Sequence, residues 1–169
     1  MRSPQGTSGA REREPKRGFP CSELQLPHAL PSGTVARNAI REVVRLSDCI
    51  FCHPPGERVF LRNEYAYALW DAFPVSAQHS LIIPHRHLEN YFELSREEVI
   101  ACDDLLHGVR EILTSRDPQI QGFNLGVNVG SAAGQTIFHC HIHLIPRRPG
   151  DVSNPRGGIR NVIPGKGSY

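Results

Sequence analysis

Hydrophobic and polar residues alternate along several short stretches of the chain, which is the pattern of β-strands with one buried face. The stretches RVFLRN and YAYALW flank Asn63 and Glu64, so we predict two strands joined by a short turn. A third strand, SLIIP, ends at Pro84. Two later strands are GFNLGVNVG, which starts at Gly122, and QTIFHCHIHLIPR, which occupies residues 135–147. These segments together predict an antiparallel sheet.

One long stretch, SREEVIACDDLLHGVREILTSRD, has instead the 3.6-residue period of an amphipathic helix. Ser95 and Glu98 form a capping box, which marks the start of a helix. The apolar stripe of this helix comprises Val99, Cys102, Leu105, Leu106, Val109, Ile112 and Leu113. A sheet with a single long helix predicts an α+β domain.

The strand that starts at Gly122 has two different faces. Its apolar positions, which we expect to face the core, are Phe123, Leu125, Val127 and Val129. Its other face carries Asn124, Gly126 and Asn128, which are polar or small. Alternate residues of a strand point to opposite faces, so this second face is predicted to be free for a ligand.

The two ends of the chain differ in composition from the middle. Residues 1–38 mix Pro, Gly, Ser and charge, so we predict a disordered or loosely attached tail and one domain over residues 39–169, folded from about Val43 and Cys49 onward. The C-terminal RRPGDVSNPRGGIRNVIPGKGSY is a basic, Gly- and Pro-rich extension. Its apolar residues predict that it packs on the domain; they are Ile159, Val162 and Ile163.

The overall composition excludes several classes of protein. A length of 169 residues suits one domain, and a net charge of +2 gives no argument for binding nucleic acid or a membrane surface. No apolar run approaches the roughly 18 residues of a membrane span, and no apolar segment follows the basic N-terminus as in a secretory signal. The odd number of cysteines predicts reduced thiols and a cytoplasmic protein; they are Cys21, Cys49, Cys52, Cys102 and Cys140.

Three of the nine histidines lie at every second position of the last predicted strand, as His139, His141 and His143. On a strand these imidazoles share one face, while the other face has core character with Phe138, Cys140, Ile142 and Leu144. Such a row can bind a metal, bind a phosphate or present a nucleophilic imidazole. The remaining alternative is that the three histidines are simply polar residues on a solvent-exposed strand face. Nearby small and polar residues favour a phosphate ester over a bare metal centre; they are Ser131, Gly134, Gln135, Asn124 and Asn128.

The sequence HCHIHLI, with GQT before it and PR after it, resembles the signature of the histidine triad (HIT) superfamily of nucleotide hydrolases and transferases. SLIIPHRHLENYFEL resembles another segment of that family, and the similarity covers roughly residues 46–165. The resemblance implies an antiparallel sheet with one long helix, paired as a homodimer. His143 is the hydrolase-like feature, because family transferases typically carry Gln at that position.

The resemblance also implies a catalytic mechanism. His141 would attack the α-phosphorus of a nucleotide to form a nucleotidyl-histidine, which water resolves. His143 would donate to a phosphate oxygen, aided by Gln135 and by N–H groups of the loop with Ser131 and Gly134. Asp71 stands where relatives hold the ribose hydroxyls, and Asn128 where they have an active-site Asn. His79 occupies a position that is often His in the family, where it would either support the triad or be a satisfied polar residue.

In the sequence CIFC, Cys49 and Cys52 have the spacing at which two thiolates can bind one metal ion. The alternative is a buried pair of cysteines without a metal. A redox role is not favoured, because the thioredoxin-like βαβ context is absent. The resemblance to zinc-containing HIT proteins implies that His87 and His139 complete a structural Cys₂His₂ zinc site. His53 and His85 are the competing ligands.

Three functions therefore compete at this point. The first is a hydrolase of a dinucleoside polyphosphate, a nucleoside phosphoramidate or an adenylylated adduct. The second is a nucleotide-binding or scaffold protein whose catalysis is vestigial. The third is a zinc-dependent nucleic-acid-binding module, which is disfavoured because no H-x3-5-H helix follows the cysteine pair.

Overall fold

The computed structural model describes residues 49–167, so the predicted tail, Cys21 and the predicted start near Val43 lie outside the described residues. Within this range the elements follow the predicted order. The five strands are β1 (Val59–Arg62), β2 (Ala66–Trp70), β3 (Ser80–Pro84), β4 (Gly122–Val127) and β5 (Ile142–Arg147), and the helix α1 is Arg96–Arg116. They form one antiparallel sheet in the order β1-β2-β3-β5-β4, so β1 and β4 are its edges. The α+β prediction is confirmed.

The start of α1 is fixed as the sequence predicts. The Ser95 hydroxyl accepts from the Glu98 N–H, and the Glu98 carboxylate accepts from the Ser95 N–H. The same carboxylate also accepts two hydrogen bonds from Arg86, at 2.8 and 2.7 Å. Glu98 therefore ties the helix to the turn after β3, close to the predicted ligand His87.

Helix α1 covers one face of the sheet. Leu105, Val109 and Leu113 from the helix pack with Ile82 of β3 and Leu144 of β5 in a buried cluster. Ala66 and Ala68 are fully buried beneath the helix, and their small side chains let the helix lie close to β2. The stripe read from the sequence is thus the buried side of α1.

The opposite face of the sheet carries a second, smaller cluster. It contains Cys49, Phe51, Tyr67, Leu69, Leu81 and Ile83. The Tyr67 hydroxyl donates to the carbonyl of Phe51, which holds the segment with both candidate metal-binding cysteines against β2. This face also bears His143, because His143 pairs with Leu81 across β3 and β5.

The prediction of one continuous strand over residues 135–147 is wrong in its first half. Strand β5 begins at Ile142, and the chain before it is bent, because Cys140 donates its N–H to Leu88 rather than to a strand partner. Phe138, expected in the core, is 40% exposed. His139 and His141 therefore precede the strand, and only His143 of the three lies on it.

The burial predicted for Leu125 is also wrong. Strand β4 ends at Val127, and Leu125 is 49% exposed because β4 is an edge strand. The C-terminal extension does contact β4, where Ile159 lies against Gly126. Its apolar side chains nevertheless remain more than half exposed; they are Ile159, Val162 and Ile163.

Over residues 49–167 no helix combines the length and the apolar character that crossing a membrane requires.

Candidate active site and metal centre

The four residues expected to hold zinc lie together. The Nδ1 atom of His139 is 3.4 Å from the sulfur of Cys49 and 3.6 Å from that of Cys52, and Nδ1 of His87 is 3.2 Å from Cys52. All four ligand atoms lie within 4.8 Å of one another. Tetrahedral bonds of about 2.3 Å to sulfur and 2.0–2.1 Å to nitrogen place S and N about 3.5 Å apart. The donor set and its spacing therefore fit a tetrahedral metal ion.

The hydrogen bonds of His139 select the nitrogen that faces the metal site. Its Nε2 atom lies 2.9 Å from the carbonyl of Pro84, which only accepts, so Nε2 carries the proton. The unprotonated Nδ1 then points at the sulfurs of Cys49 and Cys52. Burial lowers the pKa of His139 to about 4, which keeps the imidazole neutral, as a metal ligand must be. A backbone carbonyl that orients a ligating histidine is a common second layer of zinc sites.

The two competing ligands lie outside this cluster. His53 is exposed and is not part of it. His85 has its Nε2 atom 3.2 Å from the carbonyl of Asn63, and its ring stands beside that of Tyr67. The geometry therefore favours His87 and His139 over both.

His141 presents one bare nitrogen. Its Nδ1 atom is 2.7 Å from the carbonyl of His139, so this nitrogen donates and Nε2 retains its lone pair. The ring packs against Phe51, with centroids 5.2 Å apart, and lies 5.1 Å from the ring of His143. The side chain is held by contacts on several sides, and the nitrogen left for chemistry is Nε2.

His143 is the end of a chain of polar contacts. Its Nδ1 atom is 3.0 Å from Nε2 of His79, and the other nitrogen of His79 is 3.3 Å from the carboxylate of Asp71. With the carboxylate ionised, His79 donates to Asp71 and accepts from His143. The Nε2 atom of His143 is then an acceptor, and it is buried without a hydrogen-bond partner.

The protonation of these two histidines follows from their surroundings. Burial, with His141 and His79 alongside, lowers the pKa of His143 to about 4. Burial also lowers the pKa of His79, although the charge of Asp71 opposes this shift. Both rings are therefore neutral near pH 7, and the orphaned Nε2 atom of His143 is a base.

Gln135 is occupied within the protein. Its side-chain oxygen accepts from the N–H of Gly130, and its amide nitrogen donates to the carbonyls of Glu89 and Ile137. The loop between β4 and β5 also bonds internally, because the N–H groups of Ala133, Gly134 and Gln135 all donate to loop carbonyls. Positive φ angles at Gly130 and Gly134 allow this tight turn. Gln135 thus holds the loop in shape.

The other sequence-predicted substrate residues border the same region. Asn128 directly follows β4 and is half-buried, while Ser131 and Gly134 are exposed on the loop. Asp71 follows β2; one of its oxygens accepts from the Phe73 N–H while the other faces His79. The contact of Asp71 with His79 was missed from the sequence, and the only signal for it was His79 itself at a position that is often His in HIT relatives.

Comparison with known proteins places this arrangement in a family. The sequence profile of the HIT domain matches residues 56–150, more than half of the chain. An adenylylsulfatase from Arabidopsis thaliana is 34% identical over 71% of this chain and 62% of its own length. A bis(5'-nucleosyl)-tetraphosphatase from Schizosaccharomyces pombe is 32% identical over 59% of this chain and 54% of its own length.

A solved structure of a zinc-bound relative has a similar fold. A zinc-bound histidine triad family protein from Mycobacterium smegmatis superposes with a TM-score of 0.57 and is 28% identical, over 62% of this chain and 78% of its own. Together with the profile match and the row His139, His141 and His143, this similarity shows that the chain belongs to the HIT domain family.

Proposed function

We propose that this protein is a nucleotide hydrolase of the zinc-containing HIT branch, acting through a covalent nucleotidyl-histidine at His141. The observation that carries the proposal is the orientation of His141, whose Nδ1 atom is fixed by the His139 carbonyl. The fixed ring leaves Nε2 with a lone pair, which is what an attacking imidazole needs. The names of the two relatives, an adenylylsulfatase and a tetraphosphatase, support hydrolysis at an α-phosphorus.

The first step transfers the nucleotide to the protein. Nε2 of His141 forms a bond to the α-phosphorus while the bond from phosphorus to the leaving group breaks, and the leaving group departs with the bonding electron pair. The positive charge that develops on the imidazole is stabilised through Nδ1, which donates to the His139 carbonyl. The product of this half-reaction is a phosphoramidate of His141.

The second step returns the protein to its starting state. Water attacks the phosphorus, the P–N bond breaks, and Nε2 of His141 recovers its lone pair. His143 is our candidate for accepting the proton of this water, because its Nε2 atom is unpartnered and its lowered pKa leaves the ring unprotonated near pH 7. The sequence-based role, donation to a phosphate oxygen, requires a proton on Nε2, whereas in the neutral ring the proton lies on Nδ1, which faces His79.

The nucleotide itself is proposed to lie along the loop and the end of β2. Asp71 retains acceptor capacity for the ribose hydroxyls beside its contact with His79. Asn128, Ser131 and Gly134 border the phosphate position. We assign Gln135 to positioning, since its amide already bonds Gly130, Glu89 and Ile137.

Zinc is the metal we propose for Cys49, Cys52, His87 and His139. A closed set of two thiolates and two imidazoles leaves no open position, so the ion would be structural. It would tie the segment around Cys49 to the turn after β3 and to the chain entering β5. The carbonyl of His139 accepts the hydrogen bond from Nδ1 of His141. A metal ion bound by the His139 side chain would therefore also help to orient the nucleophile.

We further propose a homodimer formed through β4. This strand is an edge of the sheet, and its Leu125 is half-exposed beside a shallow apolar groove. The groove is lined by Leu106, Phe123, Leu125 and Leu144 among its residues. An exposed edge strand with apolar side chains is a surface that pairs readily with another copy.

The test is single-turnover hydrolysis of diadenosine tetraphosphate, adenosine 5'-phosphoramidate and adenosine 5'-phosphosulfate. Wild type is expected to release adenosine monophosphate from at least one of them, and His141→Ala to lose about 10³-fold or more in rate. His107→Ala, on the exposed side of α1, is the matched control. Equal rates for wild type and His141→Ala would refute the mechanism, and tight nucleotide binding without turnover would favour the binding or scaffold function.

A further inference from the structure

The chain that carries His139 and His141 is not held by the sheet. The ladders that join β5 to β3 and to β4 both end at Ile142, so residues 135–141 lie beyond the last strand pair. The direction of the His141 imidazole must therefore be set by other contacts. The turn between β3 and α1, residues 85–94, supplies several of them.

A single peptide unit connects this turn to the nucleophile. The carbonyl of Leu88 accepts the N–H of Cys140 at 2.6 Å. The carbonyl on the same peptide unit, that of His139, accepts from Nδ1 of His141 at 2.7 Å. A trans peptide unit is planar and its N–H and C=O point in opposite directions, so fixing the N–H also fixes the direction of the carbonyl. The position of the Leu88 carbonyl thus determines how the ring of His141 is turned.

The same turn makes two further contacts with the site. The carbonyl of Glu89 accepts from the side-chain amide of Gln135 at 2.8 Å, and Gln135 in turn accepts from the N–H of Gly130. His87 places its Nδ1 atom 3.2 Å from the sulfur of Cys52. A displacement of the turn would therefore reach the loop before the histidines and the metal cluster as well as the nucleophile.

Arg86 holds the turn on helix α1. Its Nε and Nη2 atoms donate to the two carboxylate oxygens of Glu98 at 2.8 and 2.7 Å, and Nη2 also donates to the carbonyl of Glu93 at 3.0 Å. Glu98 is itself fixed in place, since it is buried and accepts from the N–H of Ser95. Two parallel bonds from a planar guanidinium fix direction as well as distance. Arg86 stands two residues before Leu88, so these bonds restrain the carbonyl that orients the site.

Arg86 contributes little to keeping the domain folded. Its side chain is 53% exposed, and exposed ion pairs add little to the free energy of folding. The capping box does not need it, because Ser95 and Glu98 bond each other. Leu88 is buried and keeps the turn packed on the domain. Removing the guanidinium is therefore expected to loosen the turn while the fold remains.

From these contacts we propose that Arg86 is a positioning residue for the nucleophile. By holding the turn against Glu98 it sets the place of the Leu88 carbonyl, and the peptide unit between His139 and Cys140 passes this constraint to the ring of His141. The inference rests on the proposed function for the role of His141. Arg86 acts through this chain of hydrogen bonds and not by touching the nucleotide.

Steady-state kinetics separate positioning from substrate binding. Arg86→Gln removes the two parallel bonds, Arg86→Lys keeps the charge and can form one of them, and Arg96→Gln, at the exposed start of α1, is the matched control. On the nucleotide that wild type hydrolyses best, kcat is expected to fall about tenfold in Arg86→Gln and about threefold in Arg86→Lys, with KM within twofold, because a misaligned nucleophile slows the chemical step. Arg96→Gln should change neither. A kcat within twofold of wild type in Arg86→Gln, or a rise in KM alone, would overturn the proposal.

Nitrogen chemical shifts of His141 test the same role without turnover. Wild type and Arg96→Gln should show protonated Nδ1 and bare Nε2, whereas Arg86→Gln should show a mixture of tautomers, because the His139 carbonyl is no longer held in one direction. Unchanged His141 shifts in Arg86→Gln overturn the proposal even if kcat falls. If wild type hydrolyses none of the nucleotides, the proposed function fails, and the His141 shifts still decide the role of Arg86.

Discussion

The Nε2 atom of His79 lies 3.0 Å from the Nδ1 atom of His143, and both rings are largely buried. This contact links the last histidine of the triad to Asp71, because the second nitrogen of His79 faces that carboxylate. The chain of contacts sets which nitrogen of His143 carries the proton. It therefore leaves the lone pair on Nε2 of His143, the nitrogen that does not face His79.

Replacing His79 tests this contact. In His79→Phe the ring shape is kept and the acceptor for His143 is lost, so kcat is expected to fall about 10²-fold with a small change in KM. Nitrogen chemical shifts of His143 should show protonated Nδ1 and bare Nε2 in wild type and a mixture of tautomers in the variant. His107→Phe is the exposed control. Unchanged His143 shifts in His79→Phe would mean that the contact does not set the tautomer.

Removing a candidate metal ligand is expected to lower both the zinc content and the apparent Tm. Wild type should contain about one zinc per chain by elemental analysis, and Cys49→Ser should contain almost none, since one thiolate of the set is lost. The apparent Tm is expected to drop by about 10 °C, and a chelator should have the same effect on wild type. Cys102→Ser is the control for losing a buried thiol that is not part of the metal-binding cluster. Full zinc content in Cys49→Ser would contradict the assignment.

Stability at low pH is expected to depend on Glu98. Its hydrogen bonds from Arg86 lower its pKa, so its contribution is fully present above the unfolded-state pKa of about 4.3 and is lost as pH falls through the depressed folded pKa. Near pH 7, Glu98→Ala should reduce the free energy of unfolding by about 1–2 kcal/mol, mainly through the lost helix cap, since Arg86 is half-exposed.

Denaturant titrations at several pH values measure this dependence. The difference between wild type and Glu98→Ala should begin to shrink below about pH 4 and should be lost as pH falls through the depressed pKa of the folded state. Glu97→Ala, one residue away and exposed, is the matched control. A difference that persists unchanged to pH 2 would assign the effect to packing instead of charge.

The proposed dimer interface is tested by one charge at the edge strand. Leu125→Glu should convert a dimer into a monomer in light scattering, because a carboxylate is costly to bury against a second copy of the groove. Phe92→Glu, also exposed but in the turn between β3 and α1, should leave the dimer intact. A wild type that is monomeric at tens of micromolar would exclude this interface.

Much of the fold is predictable because local patterns and tertiary packing agree. The capping box of Ser95 and Glu98 and the apolar stripe of α1 appear where the sequence indicates them. The apolar stretches of β2 and β3 likewise form the predicted strands, which pair with each other and are buried. Leu125 is different, because the apolar pattern of a strand does not reveal whether the strand is central or an edge.

The candidate site is less predictable, since it depends on contacts between distant segments. The histidine row reads as a strand, yet Cys140 bonds to Leu88 and bends the chain before Ile142. Gln135 looks like a phosphate ligand, but three backbone groups around it already use its amide. Such competition for hydrogen bonds is set by the folded backbone and leaves no trace in residue spacing.

Trapping the covalent intermediate shows whether His141 is the nucleophile. Protein mixed with α-labelled diadenosine tetraphosphate is quenched in alkali within one turnover, since the P–N bond is stable there, and its peptides are analysed by mass spectrometry. We expect a nucleotidyl group on His141 in wild type and none in His141→Ala. In His143→Gln, in which the water step is slowed, a larger fraction of the protein should carry the group. Full turnover with no labelled histidine, or with the label on another residue, would contradict the role of His141 as nucleophile.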